Sequence, residues 1–156
     1  MIKEPPASAA LTALGITHQV FRHAGPVTTL EQAAEERGQS PKQVVRSIVF
    51  RLAEDEFMMV LVAGRGQISW KRLRQHTGRT RLTMATPEDV LRVTGFEIGT
   101  VSPFGLRQPL PILIDRRILD EETVSVGSGE AGVGLILPSS ALRSALPEAE
   151  IANLQE

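Results

Sequence analysis

Val44-Val45-Arg46-Ser47-Ile48-Val49-Phe50-Arg51-Leu52, the acidic link Ala53-Glu54-Asp55-Glu56, and Phe57-Met58-Met59-Val60-Leu61-Val62-Ala63 carry the pattern on which the fold depends. Both outer runs are rich in β-branched and large apolar residues, which predicts two antiparallel strands joined by a short turn. In the first run Arg46 shares a side with Ile48, Phe50 and Leu52, while Val45, Ser47, Val49 and Arg51 lie opposite. The second run is apolar throughout, which predicts a central strand covered on both faces. An unpaired guanidinium is costly to bury. Arg46 therefore either reaches the strand's wet end, pairs with a carboxylate such as Asp115, or lines a pocket that receives an anionic or carbonyl group.

On the N-terminal side, residues 7 to 14 favour a helix that stops at Gly15, and His18 to Phe21 form a short strand. Thr28 and Thr29 precede LEQAAEERG, with Glu31 and Gln32 three residues after each threonine as capping-box partners and Gly38 as the stop. Ser40-Pro41-Lys42-Gln43 repeats the start signal, with room for about one turn. On the C-terminal side, Gly64-Arg65-Gly66 is a turn and Ser69 caps a helix ending at Gly78. Arg81 to Met84 is a short strand, and Thr86-Pro87-Glu88-Asp89 opens another helix. Pro111 to Asp115, Thr123 to Val126 and Leu135 to Leu137 read as strands, Gly127 to Gly134 as a glycine-rich turn, and Pro138 to Leu146 as a last helix. The polar tail after Pro147 is expected to fray. Strands that arrive as hairpins and singly argue against a regular parallel array. They predict an α+β fold with a mixed, mainly antiparallel sheet.

A length of 156 residues predicts one domain, residues 1–156, with a real core. With 42% hydrophobic residues, 22% charged residues and a net charge of -1, no global field draws the chain to nucleic acid or membrane, so an anionic partner must meet a local patch. The absence of cysteine excludes disulfides, thiolate metal sites and a cysteine nucleophile, and fits a cytoplasmic location. The histidines His18, His23 and His76 are well separated, which argues against a dedicated metal site, and no apolar run is long enough to span a membrane.

Four further features could carry chemistry. Gly95 to Gly105 (GFEIGTVSPFG) alternates glycines with a proline and specifies a main-chain path, either as an ordinary turn cluster or as a shaped pocket floor. Gly64 to Thr83 holds Arg65, Lys71, Arg72, Arg74, Arg79 and Arg81 with no acidic residue, which is either a solvated basic face or a surface for phosphates. Within it Trp70 is a core anchor or a stacking platform. Gly127-Ser128-Gly129 could offer amides to an anion but lacks the spacing of a P-loop. His23, before Gly25-Pro26, stands where a binding imidazole could sit.

The order of these features (a histidine after the first strand, EQAAEERG, PKQVVRSIVF, an apolar strand, a basic helix, TGFEIGTVSPFG, PILID, then VGSGEAG before LILPSSAL) resembles the YbaK/ProX family of aminoacyl-tRNA editing domains. The resemblance runs from about residue 10 to 145, and its most specific parts are Gly99 to Pro103 (G-x-x-x-P) and the strand QVVRSIVF. It implies a barrel-like mixed sheet with peripheral helices, and hydrolysis of the ester between a mischarged amino acid and the terminal adenosine of tRNA, with no metal and no cofactor. The family's characteristic lysine falls on Arg46.

On this resemblance Arg46 and Gly99 are the expected catalytic positions. His23, Thr28, Thr100, Val101, Ser102, Pro103, Phe104, Gly127, Ser128 and Gly129 surround the substrate, and the basic residues from Arg65 to Arg81 face the tRNA acceptor end. A synthetase is a candidate partner, and no membrane is involved. An arginine keeps the cation but does not give up a proton near neutral pH, so the chemistry rests on positioning and electrostatics. The reading from another class is a non-catalytic module that binds an aminoacyl-tRNA or adenylate.

Overall fold

The computed structural model describes residues 3–156. The hairpin forms as β2 (Val45–Ala53) and β3 (Glu56–Ala63), antiparallel from Val45 opposite Ala63 to Ala53 opposite Glu56. Its turn is tighter than the sequence implies, because only Glu54 and Asp55 remain between the strands. Asp55 takes φ 59°, a left-handed conformation that aspartate tolerates. Phe57, Met59, Leu61 and Ala63 face one core, and Met58, Val60 and Val62 face another. Full burial of such a side chain contributes about 1.5–3 kcal/mol, which is why β3 has no polar face.

A five-stranded sheet surrounds this hairpin, in the order β4 (Thr83–Met84), β2, β3, β5 (Ile112–Asp115) and β8 (Glu150–Ala152). The β3–β5 and β5–β8 pairs are parallel, and the others antiparallel. A second, antiparallel sheet runs β1 (Gln19–Arg22), β7 (Val133–Pro138), β6 (Thr123–Gly127). A parallel bridge between Val44 and Ser125 joins the two sheets. The fold is α+β with a mixed, mainly antiparallel sheet system, as expected. The barrel-like aspect takes the form of two adjoining open sheets.

Helices α1 (Pro6–Ala13), α2 (Leu30–Glu36), α3 (Trp70–Thr77), α4 (Pro87–Thr94) and α5 (Ser139–Ala145) occupy the expected places. Thr29, Ser69 and Thr86 each accept the N3 amide of their helix. Gln32 reaches one residue further back than expected, its Oε1 taking the Thr28 amide at 3.0 Å. Trp70 is a core anchor, packed edge to face on Phe50 at 5.3 Å between ring centroids.

The frayed tail is not observed. Glu150–Ala152 pairs with β5, Leu154 is fully buried in the second core, and the buried Asp115 carboxylate accepts the Leu154 amide at 2.7 Å and the Gln155 amide at 3.2 Å. Asp115 is therefore occupied by the C-terminal strand and does not pair with Arg46. A five-residue 3-10 segment, Arg116–Asp120, follows β5 and was not visible in the sequence pattern.

Candidate functional site

A cavity of about 540 Å³ opens where α2, the start of β2, the loop after α4 and the β6–β7 turn meet. Its walls include Thr28, Thr29, Ala33 and Arg37 from α2 and its approach, and Val45, Arg46 and Ser47 from β2. Ile98, Gly99, Thr100 and Val101 come from the loop, and Val126, Gly127 and Glu130 from the β6–β7 side. A smaller cavity of about 150 Å³ adjoins it, sharing Ser47, Ile98, Gly99 and Val101 and otherwise lined by Ile48, Val49, Met84, Ala85 and Val90. The Ser47 hydroxyl is buried here and has no hydrogen-bond partner among the described residues.

The loop and the glycine turn hold one another in place. Gly99 takes φ 90°, a left-handed conformation, and Thr100 is braced by its amide and hydroxyl on the Glu97 carbonyl at 3.0 and 2.8 Å. The Gly129 amide donates to the Thr100 carbonyl at 2.8 Å. A methyl group on Gly127 would strike the Val101 carbonyl, and one on Gly129 would lie 2.7 Å from the Phe96 ring. Both glycines are thus places where the loop backbone or its aromatic anchor sits directly on the turn. Of the Gly95 to Gly105 stretch, Ile98 to Val101 line the cavity.

A polar chain runs along the α2 wall. The buried His23 ring places Nδ1 2.7 Å from Glu36 Oε1, and Arg37 Nε donates to His23 Nε2 at 3.1 Å. Arg37 has only N–H groups to offer, so His23 Nε2 is an acceptor, and its proton sits on Nδ1 and is given to Glu36. Gln32 Nε2 also donates to Glu36, at 2.8 Å. These hydrogen bonds, His23 first, hold the Glu36 carboxyl below its ordinary range. Arg37 Nη1 donates to Ser125 Oγ at 2.9 Å. Burial pushes the Arg37 guanidinium down from its ordinary value, and no carboxylate forms an ion pair with it among the described residues.

Arg46 borders the same cavity, but its guanidinium runs to the turn after β3. Nε donates to the Gly64 carbonyl at 2.6 Å and Nη2 to that of Gly66. Burial and the neighbouring Arg65 lower its proton affinity. In the basic segment, Arg65 pairs with Glu31, Arg79 with Glu56, and Arg72 donates to the Gln155 carbonyl at 2.6 Å. Lys71, Arg74 and Arg81 form no ion pair among the described residues, so the surface is less cationic than its sequence. Three or more metal-binding side chains are nowhere gathered among the described residues.

Of the expected site residues, the cavity brings together His23, Thr28, Arg46, Gly99, Thr100, Val101 and Gly127. Ser102, Pro103, Phe104, Ser128 and Gly129 lie outside its lining. Ser102 is fully buried and accepts the Phe104 amide at 3.2 Å, and Ser128 spends its hydroxyl on the Val133 carbonyl at 2.7 Å. Of these, Gly129 supports the lining loop through its hydrogen bond to the Thr100 carbonyl. The sequence did not single out Arg37, Ser47 or Glu130.

The profile of the aminoacyl-tRNA editing domain family matches residues 24–145. A solved structure of a protein proposed to be a trans-editing enzyme for prolyl-tRNA synthetase superposes with a TM-score of 0.89 at 30% identity, covering 99% of each chain. YwhH of Bacillus subtilis (strain 168), described as uncharacterized, is 37% identical over 101 residues, 65% of this chain and 64% of that protein. A proline–tRNA ligase of Thermosipho melanesiensis is 32% identical over 105 residues, 67% of this chain but only 18% of the ligase. The chain therefore spans somewhat under two thirds of the first relative and less than a fifth of the second. From the matched residues and the shared fold, the chain belongs to the aminoacyl-tRNA editing domain family.

Proposed function

We propose that the protein is a trans-acting aminoacyl-tRNA deacylase that hydrolyses the ester of a mischarged tRNA. The observation that carries this reading is the convergence, in a member of the editing family, of the Ile98 to Val101 main chain with Arg37 and Arg46 on one cavity of about 540 Å³. That volume suits a small-molecule-sized group such as an aminoacylated terminal nucleoside. Water attacks the ester carbonyl, loop amides and a cavity-lining guanidinium meet the negative charge that develops on its oxygen, and the bond to the terminal ribose oxygen breaks. The ribose oxygen takes a proton, leaving a free amino acid and an uncharged tRNA. His23 has both ring nitrogens engaged, so the neighbouring ribose hydroxyl is assigned the relay of the water's proton. The reaction as written uses no metal. Donors of this kind contribute about 3–4 kcal/mol each in acyl-transfer sites.

The tRNA acceptor end approaches over Gly64 to Thr83, where the Arg46 hydrogen bonds tie the basic turn to the cavity. Two relatives are tied by description to proline, a ligase and a trans-editing enzyme for prolyl-tRNA synthetase. Mischarged tRNA specific for proline is therefore the first substrate to offer, and its synthetase is a candidate partner. One observation favours a second reading: the cation at the family lysine position is committed to the Gly64 and Gly66 carbonyls, as it would be in a non-catalytic aminoacyl-tRNA or adenylate-binding module.

The test is ester loss from proline tRNA charged in turn with alanine, serine, threonine, valine and leucine, at low salt, against buffer. Hydrolysis of at least one species supports the deacylase. Binding without hydrolysis of any, by wild type and by Arg46→Lys alike, supports the binding module and overturns it.

A further inference from the structure

We propose that Arg37 supplies the principal cation for the ester oxyanion, held in place by His23 and Ser125. This rests on the deacylase reading and assigns a residue role that neither the family motif nor the sequence pattern contains. Arg37 lines the cavity, with Nε spent on His23 and Nη1 on Ser125, while Nη2 has no partner among the described residues. Arg46, by contrast, has Nε and Nη2 committed to turn carbonyls.

Two observations say what Arg37 is built to receive. Glu36 already balances it through the neutral His23 ring, so the guanidinium is not an uncompensated charge waiting for a permanent anion. A balanced, preoriented donor suits a neutral carbonyl oxygen that becomes negative only during reaction, where fixed donors in a water-poor site act most strongly. Its Nη1 rests on Ser125, which is fully buried and precedes the cavity-lining Val126 in β6. Phosphates of a bulky acceptor stem would stay outside the cavity, whose lining includes none of Lys71, Arg74 and Arg81.

The second observation is a gap in β7. Gly134 lies opposite Phe21 on one side and Gly127 on the other, in the middle of its sheet. A methyl there would fall 2.5 Å from Arg37 Cζ and 2.6 Å from Nη2. The guanidinium therefore lies flat on bare backbone, and a single methyl displaces it without altering charge. His23 and Ser125 act as positioning residues. They fix the plane of the guanidinium and do not touch the ester.

The experiment uses the full chain and the same charged proline tRNAs, with kcat and KM measured separately and folding followed by thermal melts. Arg37→Gln is expected to lower kcat by about 10²- to 10³-fold with KM little changed, the signature of a contact made in the transition state. Gly134→Ala, which keeps the arginine, is expected to lower kcat in the same direction, and it replaces Arg37→Gln as the deciding variant should that protein fail to fold. His23→Gln is expected to lower kcat without raising KM. Arg37→Gln with kcat retained overturns the proposal, as does a rise in KM that grows with salt at constant kcat, since that places Arg37 on a phosphate. A wild type that hydrolyses none of the substrates overturns the deacylase reading and this one together. An active wild type with indifferent Arg37 variants overturns this one alone.

Discussion

A Cβ on Gly127 would meet the Val101 carbonyl oxygen, with the Val101 carbonyl carbon 3.0 Å away and the Thr100 oxygen 3.1 Å away. All three are main-chain atoms, which cannot swing aside as a side chain can, so a methyl forces the loop off the β6–β7 turn. Gly127→Ala is expected to cost about 1–3 kcal/mol as overpacking. That corresponds to a fall in Tm of roughly 2–12 °C for a chain of this size. Deacylation should fall further than stability, because Thr100 and Val101 line the cavity. A calorimetric melt beside the tRNA assay checks both, and an unchanged Tm would mean that the loop does not rest on this glycine. At this level the sequence was partly legible. Arg46 stood out because a cation interrupted an apolar strand face. Arg37 did not, because its meaning comes from His23, Ser125 and Gly134, which lie 14, 88 and 97 positions away in the chain.

Helix starts were legible because the determinants of a cap lie within four residues. Thr86 Oγ1 accepts the Asp89 amide at 3.1 Å, Pro87 fills the first turn, and Gly95 ends α4 at φ 82°, where the pocket loop begins. Val90 and Val93 pin α4 to the first core, so the cap fixes the element from which the loop departs. Thr86→Ala is expected to cost about 1 kcal/mol. The expected fall in Tm is about 2–4 °C, with Thr86→Ser close to wild type by the same melt. β8 was illegible for the opposite reason. Glu150–Ala152 has neither a long apolar run nor a turn signal, and it becomes a strand only because β5 offers a parallel edge and Asp115 takes two amides from the residues that follow. A tail that is polar by composition is ordered by partners some 40 positions earlier.

Across the molecule the charges nearly cancel, at -1, but they are distributed as local pairs that make stability depend on pH. Arg65 holds the Glu31 carboxyl below its ordinary value, His23 and then Gln32 do so for Glu36, and Arg92 does so for Asp89. In each case the unfolded chain has the higher pKa. Through the carboxylate range it therefore binds more protons than the folded chain, and stability rises with pH. The contribution is complete above the ordinary carboxylate values and is lost as pH falls through the lowered ones. Thermal melts should thus be nearly level from pH 7 down to about pH 5 and fall steadily below it. All three carboxylates are on the surface, so the acid-side slope should shrink in high salt, where exposed pairs are screened. Replacing them together (Glu31→Gln, Glu36→Gln and Asp89→Asn) should flatten the slope at low salt as well. A slope that survives the triple substitution unchanged would place the acid sensitivity elsewhere. Deacylation lost in Glu36→Gln alone would tie the Glu36 charge to the Arg37 site through His23, since Glu31 meets the basic segment at Arg65 and is left intact in that variant.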